Sequence, residues 1–132
     1  MGRGESTLEK PQTGDGPLSP AQGEGIDEEE LVDRCQSGPT EAFEFLYERH
    51  KSNIFQLCRA LLWRSGVNRD EITADAMDAT QEVFLKALKS IRSFDKRSAF
   101  YTWLYRIAIN VCKNIRRTWK SRRGLLRFGE PE

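Results

Sequence analysis

Two sets of side chains in this sequence have types and spacing that could do chemistry. In the stretch FYTWLYRIAINVCKNIRRTWKSRR, residues 100–123, Arg106, Asn110, Lys113, Arg117 and Lys120 follow one another in steps of four, three, four and three. At helical periodicity they form one stripe, with Arg116 and Arg123 beside it. Such a stripe offers cations to phosphates, and Asn110 at its centre can hydrogen-bond a base edge or a phosphate. The first half of the same stretch is aromatic, and exposed rings stack on unpaired bases. In DAMDATQEVFLKAL, Asp78 and Glu82 stand one helical turn apart with Gln81 beside them. Paired carboxylates are the raw material of general acid–base catalysis. Here no second catalytic group, metal-ligand set or glycine-rich phosphate loop accompanies them.

Each set has a plainer reading. Cations near a helix C-terminus also suit the helix dipole as a solvated face, and Trp103 falls at core spacing. The carboxylate pair is either a solvated face or a docking patch for a basic partner, with Leu85 and Phe84 as apolar anchors. Spacing alone leaves both choices open.

The charge distribution sharpens the first choice. The chain of 132 residues has a net charge of only +1. Residues 92–127 nevertheless hold eleven Lys and Arg against one acid, Asp95, whereas residues 1–91 carry a net −7. A chain with one cationic end points that end toward nucleic acid or an anionic surface. Cys35, Cys58 and Cys112 lack CxxC spacing and have a single histidine, His50, for company. They read as reduced thiols on buried helix faces, not as a zinc site. No cofactor is expected. There is no apolar run long enough to span a membrane and no apolar leader, so the expectation is a cytoplasmic protein without membrane insertion.

The elements that must position these groups are helical. Residues 1–26 contain six glycines and three prolines and almost no large apolar side chains, which predicts a disordered extension. Asp27 as N-cap with Glu30 three residues on predicts a short helix ending at Gly38 and Pro39. Thr40 is the expected cap of a long helix of about 24 residues that Gly66 stops. VNRDEITAD reads as a connector, and a third helix carries Ala76, Thr80, Val83, Phe84, Ala87, Leu88 and Ile91 on its buried stripe. Asp75, Asp78, Gln81, Glu82 and Leu85 fall on its other side. After the polar loop RSFDKRS, Ser98 is the expected cap of a last helix running to about Arg122, with Phe100, Trp103, Leu104, Ile107, Val111 and Ile115 inward. The tail GLLRFGEPE shows no clear pattern. With no strand-like alternation, the fold class is all-α, a compact bundle of about four helices.

Three blocks, DEEELVDRCQSGPTEAFEFLYERH, DATQEVFLKALKSIRSF and SAFYTWLYRIAINVCKN, together resemble the σ2 domain (region 2) of bacterial sigma-70 family sigma factors, most closely the extracytoplasmic-function (ECF) type. The resemblance covers about residues 27–123, with 124–132 as the start of an interdomain linker or tail. It implies a non-catalytic transcription initiation module. It implies that Asp78, Gln81, Glu82 and Leu85 dock core RNA polymerase through the β′ coiled coil. It implies that Phe94, Asp95, Lys96, Arg97, Ser98 and Ala99 form a loop and pocket for a flipped base of the promoter −10 non-template strand. Tyr101, Arg106, Asn110, Lys113, Asn114, Arg117 and Lys120 would then face the DNA, with Trp103 supporting the pocket from the core. A pocket that holds an unstacked base traps the open state of the duplex. An anti-sigma factor is a further partner that the resemblance implies. Family members normally carry a second helical domain, σ4, that reads the −35 element; a σ2 domain by itself is expected to bind promoters weakly. The connector RSGVNRDEITADAM is longer than the family usually has. Two other functions compete: a basic nucleic-acid or membrane adaptor without sequence preference, and a histidine phosphotransfer module using His50.

Overall fold

The computed structural model describes residues 25–129, with side chains through 122. The predicted extension lies almost entirely outside the described residues. Among the described residues four helices follow in order: α1 (Glu28–Ser37), α2 (Phe43–Leu62), α3 (Arg69–Ser90) and α4 (Phe100–Gly129). Single 3-10 turns at Thr40–Ala42 and Ile91–Ser93 lead into α2 and out of α3. Among the described residues there is no strand. The three long helices pack on one another, and α1 crosses α2 and the turn after α3.

Helix ends depart from the sequence expectations in instructive ways. Asp27 occupies the N-cap position of α1 but its side chain makes no capping bond. Glu30 instead turns along the helix to accept two bonds from Arg34. Thr40 does not cap α2, since the chain enters through a 3-10 turn and Ala42 takes the N-cap position. α2 stops at Leu62, four residues before Gly66, because Trp63 turns extended and Arg64 donates to the freed Leu62 carbonyl at 3.0 Å. Gly66, with φ +84°, makes the turn that follows. The stretch read as a connector is already helix: Asn68 accepts from the Glu71 backbone N–H at 2.8 Å, so α3 starts at Arg69. Ala99, not Ser98, supplies the carbonyl for the first bond of α4, while the Ser98 hydroxyl donates to Ala99 O. α4 continues past Arg122 to Gly129, about 45 Å at 1.5 Å per residue.

The core mixes large aliphatic side chains with small ones. Leu31, Leu46, Ile54, Leu62, Val83, Ile91 and Leu104 are fully buried. Ala76, Ala79, Ala87, Ala108, Cys58 and Cys112 sit among them, all essentially without exposure. The inward stripe of α4 is thus Phe100, Leu104, Ala108, Val111 and Cys112; the expected Trp103, Ile107 and Ile115 lie half-buried at its margins. Among the described residues Thr80 is the buried polar one, and its hydroxyl donates to Ala76 O at 2.7 Å, so its burial leaves no unmet bond. Cys35, Cys58 and Cys112 are free and buried. Burial pushes the Cys35 thiol up to about 11.

α1 is fastened to α2 by Glu28. Its carboxylate accepts from His50 Nε2 at 2.8 Å and lies 3.7 Å from Arg49. The His50 hydrogen bond holds the Glu28 carboxyl below its usual range, against the opposing effect of burial.

Two predictions come from this packing. Leu104→Ala removes a fully buried side chain and is expected to lower unfolding free energy by about 2–5 kcal/mol in urea denaturation. Glu28→Gln is expected to cost on the order of 1 kcal/mol or less at neutral pH, because the pair is partly solvent-screened. A lowered carboxyl pKa stabilises the fold above about pH 4.5 and loses that effect as pH falls through the folded value. The melting-temperature gap between Glu28→Gln and the parent should therefore close on acidification.

Candidate nucleic-acid interface

The segment between α3 and α4 is short of apolar residues, yet it is tightly placed. Phe94 turns inward and is 7% exposed, against Phe100 (ring centroids 6.2 Å apart) and Trp103 (4.8 Å). Asp95 accepts from the Arg97 backbone N–H at 3.1 Å, and Lys96 adopts φ 65°, a left-handed conformation unusual for a lysine. Three residues of α1 or its end hold this loop from outside. Gln36 Nε2 donates to Ile91 O at 2.8 Å and to Phe94 O at 2.7 Å. Arg92 donates to Gly38 O at 2.7 Å, and Lys96 pairs with Asp33.

Between this loop and the start of α1 lies a pocket of about 320 Å³, at the small end of the range for ligand sites. Phe94, Lys96, Ser98, Ala99 and Phe100 form one wall, and Asp27, Glu28, Glu29 and Val32 the other. Four of the six loop residues singled out in the sequence therefore meet at one cavity. Asp95 and Arg97 instead pair with each other at 3.3 Å on the outer surface. The α1 wall was not anticipated. In the sequence these acids read only as the start of a short helix, and only the crossing of α1 over the loop brings them to the pocket.

Along α4 the structure brings the cationic residues to one exposed face: Arg106, Asn110, Lys113, Asn114, Arg117 and Lys120 are all exposed. Arg117 Nη1 donates to Asn114 Oδ1 at 3.2 Å, which holds the guanidinium along the face. Tyr101 is half-buried, stacked on His50 (5.4 Å, 29°) and leaning on Tyr105 (5.1 Å). Trp103 is half-buried and lies against the Phe94 ring, their centroids 4.8 Å apart. Farther along, Arg64 lies 3.7 Å above the Trp119 ring, and with Trp63 and Lys113, Arg116, Arg117 and Lys120 it encloses a basic cavity of about 420 Å³. Sequence reasoning passed over Trp63 and Trp119, because no periodicity ties the end of α2 to the second half of α4.

The acidic patch is a second, separate kind of surface. Asp78, Gln81, Glu82 and Leu85 are exposed on α3, Leu85 at 57%. Asp75 does not join them, since it is half-buried and accepts from Arg64 at 3.1 Å. Beside the patch runs an apolar groove of about 600 Å³ between α3 and the start of α2, lined by Phe43, Tyr47, Phe84, Leu85 and Leu88. Phe84 is its buried floor, edge-on to Tyr47 at 4.9 Å, and is no free anchor. The groove-facing edges of Phe43 and Tyr47 emerge only from packing.

His50 is spoken for by Glu28 and by the Tyr101 ring, and its side chain is 12% exposed. That leaves it poorly placed to accept a phosphoryl group from a partner protein. Among the described residues no group of acids, histidines and cysteines could hold a metal ion, and no helix is long and apolar enough to cross a membrane.

Comparison with known proteins bears on these surfaces. The family model for Sigma-70 region 2 matches residues 46–123. The ECF RNA polymerase sigma-E factor of Haemophilus influenzae is 43% identical over 91 residues, 69% of this chain and 43% of that protein. The protein of the same description from Escherichia coli K12 is 40% identical over the same length and shares. The chain thus spans less than half the length of the curated relatives it matches. Among solved structures, the NMR structure of an engineered region 2 of sigmaE in complex with GTAAAA is similar, with TM-score 0.60 and 31% identity over 80% of this chain and 97% of that one.

Proposed function

We propose a function that begins from kinship: the chain belongs to the sigma-70 family, as an ECF-type region 2, and works in transcription initiation on the promoter −10 element together with core RNA polymerase. The observation that carries this reading is the pairing of a base-sized pocket with a cationic helix face, on the fold of a region 2 that was solved bound to GTAAAA. The σ2 module comprises residues 27–123, preceded by an extension and followed by the start of a linker that continues α4. Sigma factors are non-catalytic, and this chain makes and breaks no bond. It acts where RNA polymerase acts, in the cytoplasm.

In this mechanism the open strand runs along α4. Arg106, Lys113, Arg117 and Lys120 meet phosphates, and Asn110 and Asn114 offer amides to base edges or phosphates. Tyr101, seated on His50, presents a ring to a base. One unstacked non-template base enters the pocket behind Lys96, Ser98 and Ala99. Its capture offsets the unpairing cost of a few kcal/mol and holds the duplex open. Phe94 and Trp103 keep the pocket's back wall rigid. Meanwhile Asp78, Gln81, Glu82 and Leu85, with the groove of Phe43 and Tyr47, dock the polymerase β′ coiled coil. Exposed carboxylates give that contact charge complementarity and Leu85 gives it an apolar centre. An anti-sigma factor covering either surface would silence the module.

Two measurements test this. In fluorescence anisotropy at two salt concentrations, the chain is expected to prefer −10 non-template strands over scrambled ones. Replacing residues 95–99 should erase the preference, and Lys113→Ala should weaken all strands alike and reduce the salt slope by about 0.7. Equal binding to every strand would leave only a sequence-independent basic adaptor. For the other surface, Asp78→Ala combined with Glu82→Ala should abolish capture of core polymerase while circular dichroism stays unchanged. Undiminished capture would move the docking site elsewhere.

A further inference from the structure

The loop that walls the pocket contains a residue in a conformation it would not choose. A non-glycine residue at positive φ persists only where its surroundings hold it, and Lys96 has φ 65°. Its own side chain is held by the exposed pair with Asp33, and exposed pairs contribute little. The stronger tether is Gln36, half-buried on the last turn of α1. Its partners are the carbonyls of Ile91 and Phe94, at 2.8 and 2.7 Å. Both partners are acceptors only, so the side-chain nitrogen must face them, and its two N–H groups match two oxygens. One carbonyl closes the end of α3, and the other precedes the Asp95–Lys96 bend by one residue.

We infer that Gln36 is a positioning residue for the base pocket: through its two amide bonds, α1 sets the loop in its strand-reading shape before any DNA arrives. The assignment of the pocket to a promoter base rests on the function proposed above, whereas the tether itself does not. Gln36 does not itself line the pocket; it reaches the wall through the backbone carbonyl of Phe94. Leu31, Val32 and Cys35 anchor α1 in the core independently of it, so the fold does not need it.

The test compares the full chain with Gln36→Met, of similar shape without donors, and Gln36→Lys, which restores donors. Amide hydrogen exchange over residues 92–98 is expected to rise about tenfold in Gln36→Met, the loss expected from two neutral hydrogen bonds, with the helices unchanged, and to return to near the parent rate in Gln36→Lys. In the anisotropy assay the preference for −10 strands over scrambled strands should fall by a similar factor in Gln36→Met, with scrambled-strand affinity and salt slope unchanged. Parent-like loop exchange or undiminished preference in Gln36→Met overturns the inference. So does acceleration spread over all helices, or failure of Gln36→Lys to recover, since Gln36 would then support the fold or act by shape alone. A parent chain with no strand preference would sink the promoter reading instead, and loop exchange would still decide the tether.

Discussion

Burial of one narrow face of α4 is the constraint on which the rest depends. Leu104, Ala108, Val111 and Cys112 are sealed against α2 and α3. The buried residues of α3 include the small Ala76, Ala79 and Ala87 beside Val83 and Phe84, so the two helices mix large and small side chains in one close-packed core. Because the buried face is narrow, the remaining circumference of a long helix stays in solvent. A helix that carries almost all of its charge as cations would repel itself in a compact core. Here it gives its neutral face to the bundle and leaves its cations on the outside.

The same economy shapes the junctions. Arg64 caps the last carbonyl of α2, pairs with Asp75 of α3 and covers Trp119 of α4, tying three helices with one guanidinium. Glu28 joins α1 to α2 through His50, and the His50 ring in turn seats Tyr101 of α4. Groups that look like candidates for chemistry in a list of residues are here hinges between elements. Glu28 takes His50 Nε2 and the Tyr101 ring covers the imidazole, which leaves His50 poorly placed for phosphotransfer, and Arg64 draws Asp75 out of the acidic patch.

Two surfaces of opposite character result. One is acidic and apolar, on α3 and the start of α2; the other is cationic with a walled pocket, on α4 and the loop before it. On the function proposed, this division would let a protein partner and a nucleic acid bind at once, since a single mixed surface would make the two compete.

Much of this was legible from residue order. Apolar periodicity over residues 43–62 and 76–91 gave two helices, and the run of cations after Arg106 gave the character of the last one, because a helix face is a local property with a fixed repeat. The acidic patch and the stripe were likewise each confined to one helix, so spacing found them. Helix ends were less legible: Thr40, Asp27 and Ser98 are all good caps by type, yet α2 is entered through a 3-10 turn, Asp27 makes no capping bond and the Ser98 hydroxyl donates to Ala99 O. What only the tertiary structure decided is whatever needs two elements at once. The pocket wall from Asp27 to Glu29, the groove edge of Phe43 and Tyr47, the Arg64–Trp119 stack and the Gln36 tether all join residues far apart in the chain. Local sequence fixes which way a side chain points from its own axis, and only packing fixes what stands opposite it.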